Sequence, residues 1–260
     1  MFIGILYFFV IVLANTIGAI SGMGGGVIIK PVFDMIGVHS VAAISFYSAV
    51  AVFVMAIVST YRQVKNGIQL HWQLAGWVSL GAVIGGVLGS QVLEKLLVAL
   101  PNEDWVKMIQ IILTILTLLF AFLYTHFEWP SFSLHQVSWY LLCGLLLGFL
   151  ASLLGIGGGP INVSLLVLLF SLPIKEATVY SICTILFSQL AKLTTIAFAT
   201  GFEEFDLTVL PYIVIAAVIG GLLGARFSGL LSPKKVLFVF QFVILLVMLI
   251  NLYNGVVLFM

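Results

Sequence analysis

The chain has 260 residues, 63% of them hydrophobic and 7% charged, with 10 Lys and Arg against 9 Asp and Glu. A water-soluble domain carries roughly 25% charged residues, so this chain cannot clothe a globule that faces water on every side. A soluble enzyme, a disordered protein and a nucleic-acid binder with its basic face are all excluded, and an integral membrane protein is expected.

Long runs without Asp, Glu, Lys or Arg locate the spans. A membrane helix needs about 20 apolar residues, and lipid leaves backbone groups no partner but their own helix or a closed barrel. Leu-rich runs without period-two alternation favour helices, so the expected class is an all-α, polytopic transmembrane bundle. In chain order, helices are expected over 2–20, 27–36, 40–61, 73–93, 105–125, 137–154, 160–171, 175–199, 207–228 and 236–257. The first run has no Lys/Arg-rich start, so no cleavable signal peptide is expected. The segments 27–36 and 160–171 reach only half-way across a membrane, because a helix rises about 1.5 Å per residue. Each follows a triple glycine. The widest polar stretches are 62–71, 94–107 and 126–136, and no soluble domain is expected.

The chain repeats itself. Gly22-Met23-Gly24-Gly25-Gly26 recurs as Gly155-Ile156-Gly157-Gly158-Gly159. The segment from Ala82 to Gly89 recurs from Ala217 to Gly224, in the same order and at nearly the same offset. Two homologous halves are therefore expected, 1–126 and 137–260, joined by a linker over 127–136. Many secondary transporters are built from such repeats, with Gly/Pro-interrupted short segments lining the substrate site at the midplane. Two arrangements remain open. Short helices that continue across give five passes per half and inverted halves. Re-entrant short helices give four passes and parallel halves. In the inverted arrangement the positive-inside rule puts the Arg62/Lys65 and Arg226/Lys234/Lys235 loops inside, with Glu203, Glu204 and Asp206 on the other side.

A triple glycine leading into a helix offers free N–H groups and the positive end of a helix dipole, an arrangement that binds anions. Pro160 suits the first turn of the second short helix. The expected substrate-binding set is Ser21, Gly22, Gly24, Gly25, Gly26, Val27, Lys30, Gly155, Gly157, Gly158, Gly159, Asn162 and Ser181. Lys30, at i,i+4 to Asp34, is the charged member if it turns inward. Lys192 lies in a polar stripe with Ser181, Thr184, Ser188 and Gln189, a stripe read as interhelical hydrogen bonding with Lys192 snorkelling. Asn15, Thr16, Ser45 and Ser48 are secondary lining residues. Gly85 with Gly89 and Gly220 with Gly224 have the spacing of close helix packing. Cys143, Cys183 and four separated histidines lack metal-ligand spacing, and neither glycine cluster fits a nucleotide-binding fingerprint. No cofactor, no metal and no catalytic residue is expected.

These motifs, the repeat and the length together resemble the TauE/SafE membrane transporter family, also called the 4-toluene sulfonate uptake permease family. The resemblance covers nearly the whole chain and rests on the two glycine clusters with Pro31 and Pro160, and on the repeated Ile-Gly-Gly-x-Leu-Gly segments. It implies movement of small sulfur-containing or carboxylate anions, such as sulfite, sulfonates or sulfoacetate, across the cytoplasmic membrane by alternating access. Family members often carry a Thr-Ser pair on the helix after each short segment; here Ser45-Phe46 and Tyr180-Ser181 stand in those places. The expected partners are a small anion, the lipid bilayer and, optionally, a second copy of the chain, but no nucleic acid; whether an ion couples to transport is not readable from the sequence. The alternatives from other classes are a non-transporting membrane scaffold or assembly subunit, and an intramembrane enzyme, for which no nucleophile–base pair or metal constellation speaks.

Overall fold

The computed structural model describes residues 2–65, 71–127, 129–199 and 201–258. Residues 66–70 of the expected polar stretch 62–71, and residue 128 of the expected linker, lie outside the described residues. The described residues form ten α-helices and a 3-10 turn, with no strand: α1 Phe2–Ser21, α2 Gly26–Ile36, α3 Val41–Lys65, α4 Trp72–Ala99, α5 Glu103–His126, α6 Val137–Leu153, α7 Pro160–Phe170, α8 Ile174–Ala199, α9 Leu210–Leu230 after the turn Leu207–Val209, and α10 Pro233–Leu258. Seven helices are long and apolar enough to cross a membrane.

Local chemistry explains the helix ends. Asn102 accepts from the Trp105 amide and caps α5, with Glu103 and Asp104 in the first turn, where the dipole favours them. Pro160 opens α7, and Gly37 closes α2 in the left-handed region. Two helices run further than the sequence reading. Glu94 and Lys95 sit inside α4, and Arg62 and Lys65 sit in the last turn of α3. A helix can leave the apolar layer without ending, because long charged side chains reach water while their stems stay packed.

The two short helices are 11 residues each, or about 16 Å. Each turns back along the helix before it. Tyr7 near the start of α1 stacks on Phe33 near the end of α2, ring centroids 3.7 Å apart, and its hydroxyl bonds His39 Nδ1 at 2.8 Å. Tyr140 of α6 likewise meets Phe170 at the end of α7. So α1–α2 and α6–α7 are hairpins that enter the bundle and leave at the same end. Glycines at positive φ make the reversal: Gly22 at 74° and Gly24 at 75°, Gly155 at 68° and Gly157 at 67°.

The hairpins bear on the two arrangements weighed above. The short helices return, yet α3 and α8 run antiparallel. The start of α3 (Ala42, Ser45) lines one cavity with the far part of α8 (Lys192, Ile196). The end of α3 (Arg62, Gln63) lines another with the start of α8 (Lys175). A hairpin that goes in and back leaves every later helix pointing as five crossings would. A returning short helix therefore does not require parallel halves.

The remaining packing is also paired. Small residues let α4 lie against α6 and α9 against α1. A Cβ on Gly85 would collide with the Leu145 carbonyl oxygen, and one on Gly220 would sit 2.7 Å from Asn15 Cβ and 3.0 Å from the Val12 carbonyl oxygen. Two tyrosines tie α3 to the segment before α9 and α8 to the start of α4. The Tyr47 hydroxyl donates to the Asp206 carbonyl at 3.1 Å, and the Tyr180 hydroxyl accepts from the His71 amide at 2.5 Å. Asp206 also caps the turn before α9. The Thr208 hydroxyl and amide both donate to its carboxylate, which holds it below the usual carboxylate range.

Candidate functional site

The tips of the two hairpins meet backbone to backbone. A Cβ on Gly26 would collide with the Ile156 carbonyl oxygen, and one on Gly158 would lie 3.1 Å from that of Met23. Val52 of α3 and Ile185 of α8 flank the junction, each in contact with both clusters. Ser181 of α8 donates to the Gly22 carbonyl at 2.5 Å. Carbonyl oxygens thus face the junction as well as amides. Two of the amides expected to be free are occupied: Gly24 N–H bonds the Gly18 carbonyl at 3.3 Å, and Gly157 N–H bonds the Ala151 carbonyl at 3.2 Å. The same positive-φ turn that reverses the chain folds these donors back onto the helix just ended.

The rest of the expected set is buried around this junction. Val27 and Ser21 are fully buried, Ser21 bonding its own helix at the Ile17 carbonyl. Asn162 is buried in α7. Lys30 is 4% exposed and makes a 2.6 Å ion pair with Asp34 one turn on. Its stem passes Gly155, where a Cβ would lie 3.3 Å from Lys30 Cε and 2.7 Å from Ser45 Oγ.

The residue that the sequence reading underweighted is Lys192. It does not snorkel: it is 1% exposed, inside the bundle. Its Nζ donates to Ser45 Oγ at 2.6 Å and to the Ser152 carbonyl at 3.2 Å. Among the described residues it belongs to neither ion pair, which are Lys30–Asp34 and Lys107–Asp104. Withdrawing an ammonium from water costs several kcal/mol even after relaxation, and two neutral acceptors recover part of that. An anion beside it would supply the rest. The space is there, because Lys192 and Ser45 line a cavity of about 350 Å³ that also touches Ser90, Glu94 and Glu204. The cavity brings the Lys192 amine and the Ser45 and Ser90 hydroxyls, all able to donate to a small oxyanion, together with the Glu94 and Glu204 carboxylates. Three neighbouring oxygens have no hydrogen-bond partner among the described residues: Asn15 Oδ1, Ser48 Oγ and Gln189 Oε1. Asn15 abuts Gly25, Ser48 abuts Gly26 and Gln189 abuts Gly157.

A bundle with several helices long and apolar enough to cross a membrane, and a lysine buried beside a cavity, is that of a multi-pass membrane protein. The sulfite exporter TauE/SafE family model matches residues 7–252, and the chain belongs to that family. A probable membrane transporter protein of Methanocaldococcus jannaschii is 24% identical over 237 residues, covering 85% of each chain. No solved structure matches.

Proposed function

We propose that the chain is a secondary transporter that moves a small sulfur-containing or carboxylate anion across the cytoplasmic membrane by alternating access. The observation that carries this reading is Lys192, a buried lysine without a carboxylate partner among the described residues, in the lining of a cavity. Helix packing alone, as in a scaffold, gives no reason to keep such a charge. The proposed anion seat runs from Lys192 past Ser45 and Gly155 toward Lys30. The glycine clusters, Val27, Asn162, Ser21 and Ser181 hold the hairpin tips that form its wall. The family's description names sulfite, which makes sulfite and sulfoacetate the first anions to test.

The halves 1–126 and 137–260 are proposed to be inverted repeats, with 127–136 as the linker. The matching contacts support this. Gly24 bonds Gly18 as Gly157 bonds Ala151, and Tyr47 ties α3 to the segment before α9 as Tyr180 ties α8 to the start of α4. Alternating access then exchanges the roles of the two halves around the hairpin junction.

Labelled sulfite and sulfoacetate uptake into proteoliposomes tests the function. Lys192→Met should weaken apparent anion affinity about ten-fold or more, since a hydrogen bond to a charged group contributes roughly 1.5–3 kcal/mol. Normal affinity in a well-folded Lys192→Met protein would overturn the seat, and absence of flux in the wild type would overturn the function.

A further inference from the structure

A second cavity, of about 540 Å³, lies at the opposite end of α3 and α8 from the Lys192 cavity. Its polar lining among the described residues is Arg62, Gln63, Lys175, Arg226 and Ser228, with no carboxylate. None of the three cations belongs to an ion pair among the described residues. Lys175 spends one donor on the Leu231 carbonyl at 2.9 Å, and an ammonium has two more. Gln63 is 2% exposed, and its Oε1 has no partner among the described residues while Nε2 donates to Ser59 Oγ. Rotating that amide keeps the bond, with Ser59 now donating, and frees the NH₂ group as a donor.

The two cavities occupy matching places in the repeat. Ala42 and Lys175 stand at the same offset as the two glycine clusters, and so do Gln63 and Ile196. Glu94 and Gly229 stand at the offset of the two Ile-Gly-Gly segments. The linings differ in charge: Glu94 and Glu204 stand with Lys192 in one, and Arg62, Lys175 and Arg226 stand without a carboxylate in the other. We propose that the basic cavity is a second anion-binding site, the capture port of the transport path, and that it takes a small oxyanion such as sulfite or a sulfonate. This rests on the transport reading above. A mouth lined by one sign of charge concentrates the opposite ion and speeds its arrival. The Arg62/Gln63/Lys175/Arg226 port therefore loads at lower anion concentration than the Glu94/Glu204 mouth, which favours release. The asymmetry sets the apparent affinity at each face; the direction of net flux is still set by the gradients. By the positive-inside rule the basic port faces the cytoplasm.

A phospholipid phosphate presents the same oxyanion chemistry to these residues, so the test separates the two sources. Sulfite transport is measured in right-side-out and inside-out membrane vesicles carrying wild-type or Arg62→Gln/Arg226→Gln protein, with thermal unfolding as the folding control. The expected result is a rise in KM of about ten-fold at the basic face alone, shrinking as salt screens the port. An equal shift at both faces, or none, overturns the proposal. So does loss of co-purifying phosphatidylglycerol in native mass spectrometry with KM unchanged, which makes the residues a lipid anchor only. Normal transport by Lys192→Met counts against the seat around that lysine alone, and the port is still judged by the sidedness of KM.

Discussion

At the scale of single residues, two buried lysines do different work. Lys30 has its counter-ion one turn away on the same helix, whereas the contacts of Lys192 come from Ser45 and Ser152, 147 and 40 residues distant. Spacing along one helix is legible in a sequence, so the Lys30–Asp34 pairing is foreseeable. The solitude of Lys192 depends on what three other helices bring to it, and no local pattern reveals that. One available signal went unused: Tyr47-Ser48 recurs as Tyr180-Ser181 at the same offset as the glycines. Those are the tyrosines that tie α3 to the segment before α9 and α8 to the start of α4. Removing one member of the buried pair should be costly. Asp34→Asn is expected to lower stability by about 3–5 kcal/mol, and Lys30→Met/Asp34→Leu should recover most of it, read by unfolding in detergent. Equal losses in the single and double variants would mean that the pair itself stabilises the fold.

At the scale of helices, the sequence reading found all ten and placed nine of them within four residues at either end, because apolar runs and glycine breaks mark them strongly. It stopped α4 at 93 where the helix runs to Ala99, since a first charge was taken as an end. The return of the short helices was not legible, because the path of a glycine turn depends on φ values that its sequence leaves free. Close packing by small residues was legible and gives a graded expectation. Gly85→Val should push α4 away from α6 and cost about 1–3 kcal/mol by overpacking. Gly220→Val should do the same between α9 and α1. Gly76→Ala, with nothing within 4 Å of the added carbon, should gain about 0.5–1 kcal/mol as a glycine replaced inside a helix. Thermal unfolding of the three variants checks the ranking, and a Gly76→Ala loss as large as that of Gly85→Val would contradict the packing account.

At the scale of the whole molecule, the arrangement predicts sidedness. Val64 follows Arg62 at the end of α3, and Ser232 follows the Leu231 carbonyl that holds Lys175, so both stand at the basic end. Cysteines placed there, in a Cys143→Ser/Cys183→Ser background, should label from the same side of the membrane with an impermeant reagent. Labelling from opposite sides would reject the inverted arrangement. Charge alone leaves the inverted and parallel alternatives level, because the parallel one also satisfies the positive-inside rule, with Lys95, Lys175, Arg226, Lys234 and Lys235 on one side. The antiparallel run of α3 and α8, carried by the lining of two cavities, supports the proposed inverted arrangement, and the labelling tests it.

The pairing of α4 with α6 and of α1 with α9 also has a consequence for synthesis. When α4 leaves the ribosome, the faces of Gly81, Gly85 and Gly89 have no partner, because α6 has not yet been made. α1 waits longer still, until α9 emerges some two hundred residues later, or about 10–40 s at ordinary elongation rates. Through that interval the first half stands in lipid with its small-residue stripes bare, and it cannot close on itself. A chain cut in the linker should therefore yield two fragments that are each degraded when made alone and recovered as a complex when made together. Stable accumulation of residues 1–126 by themselves would show that the first half finds another way to cover those faces.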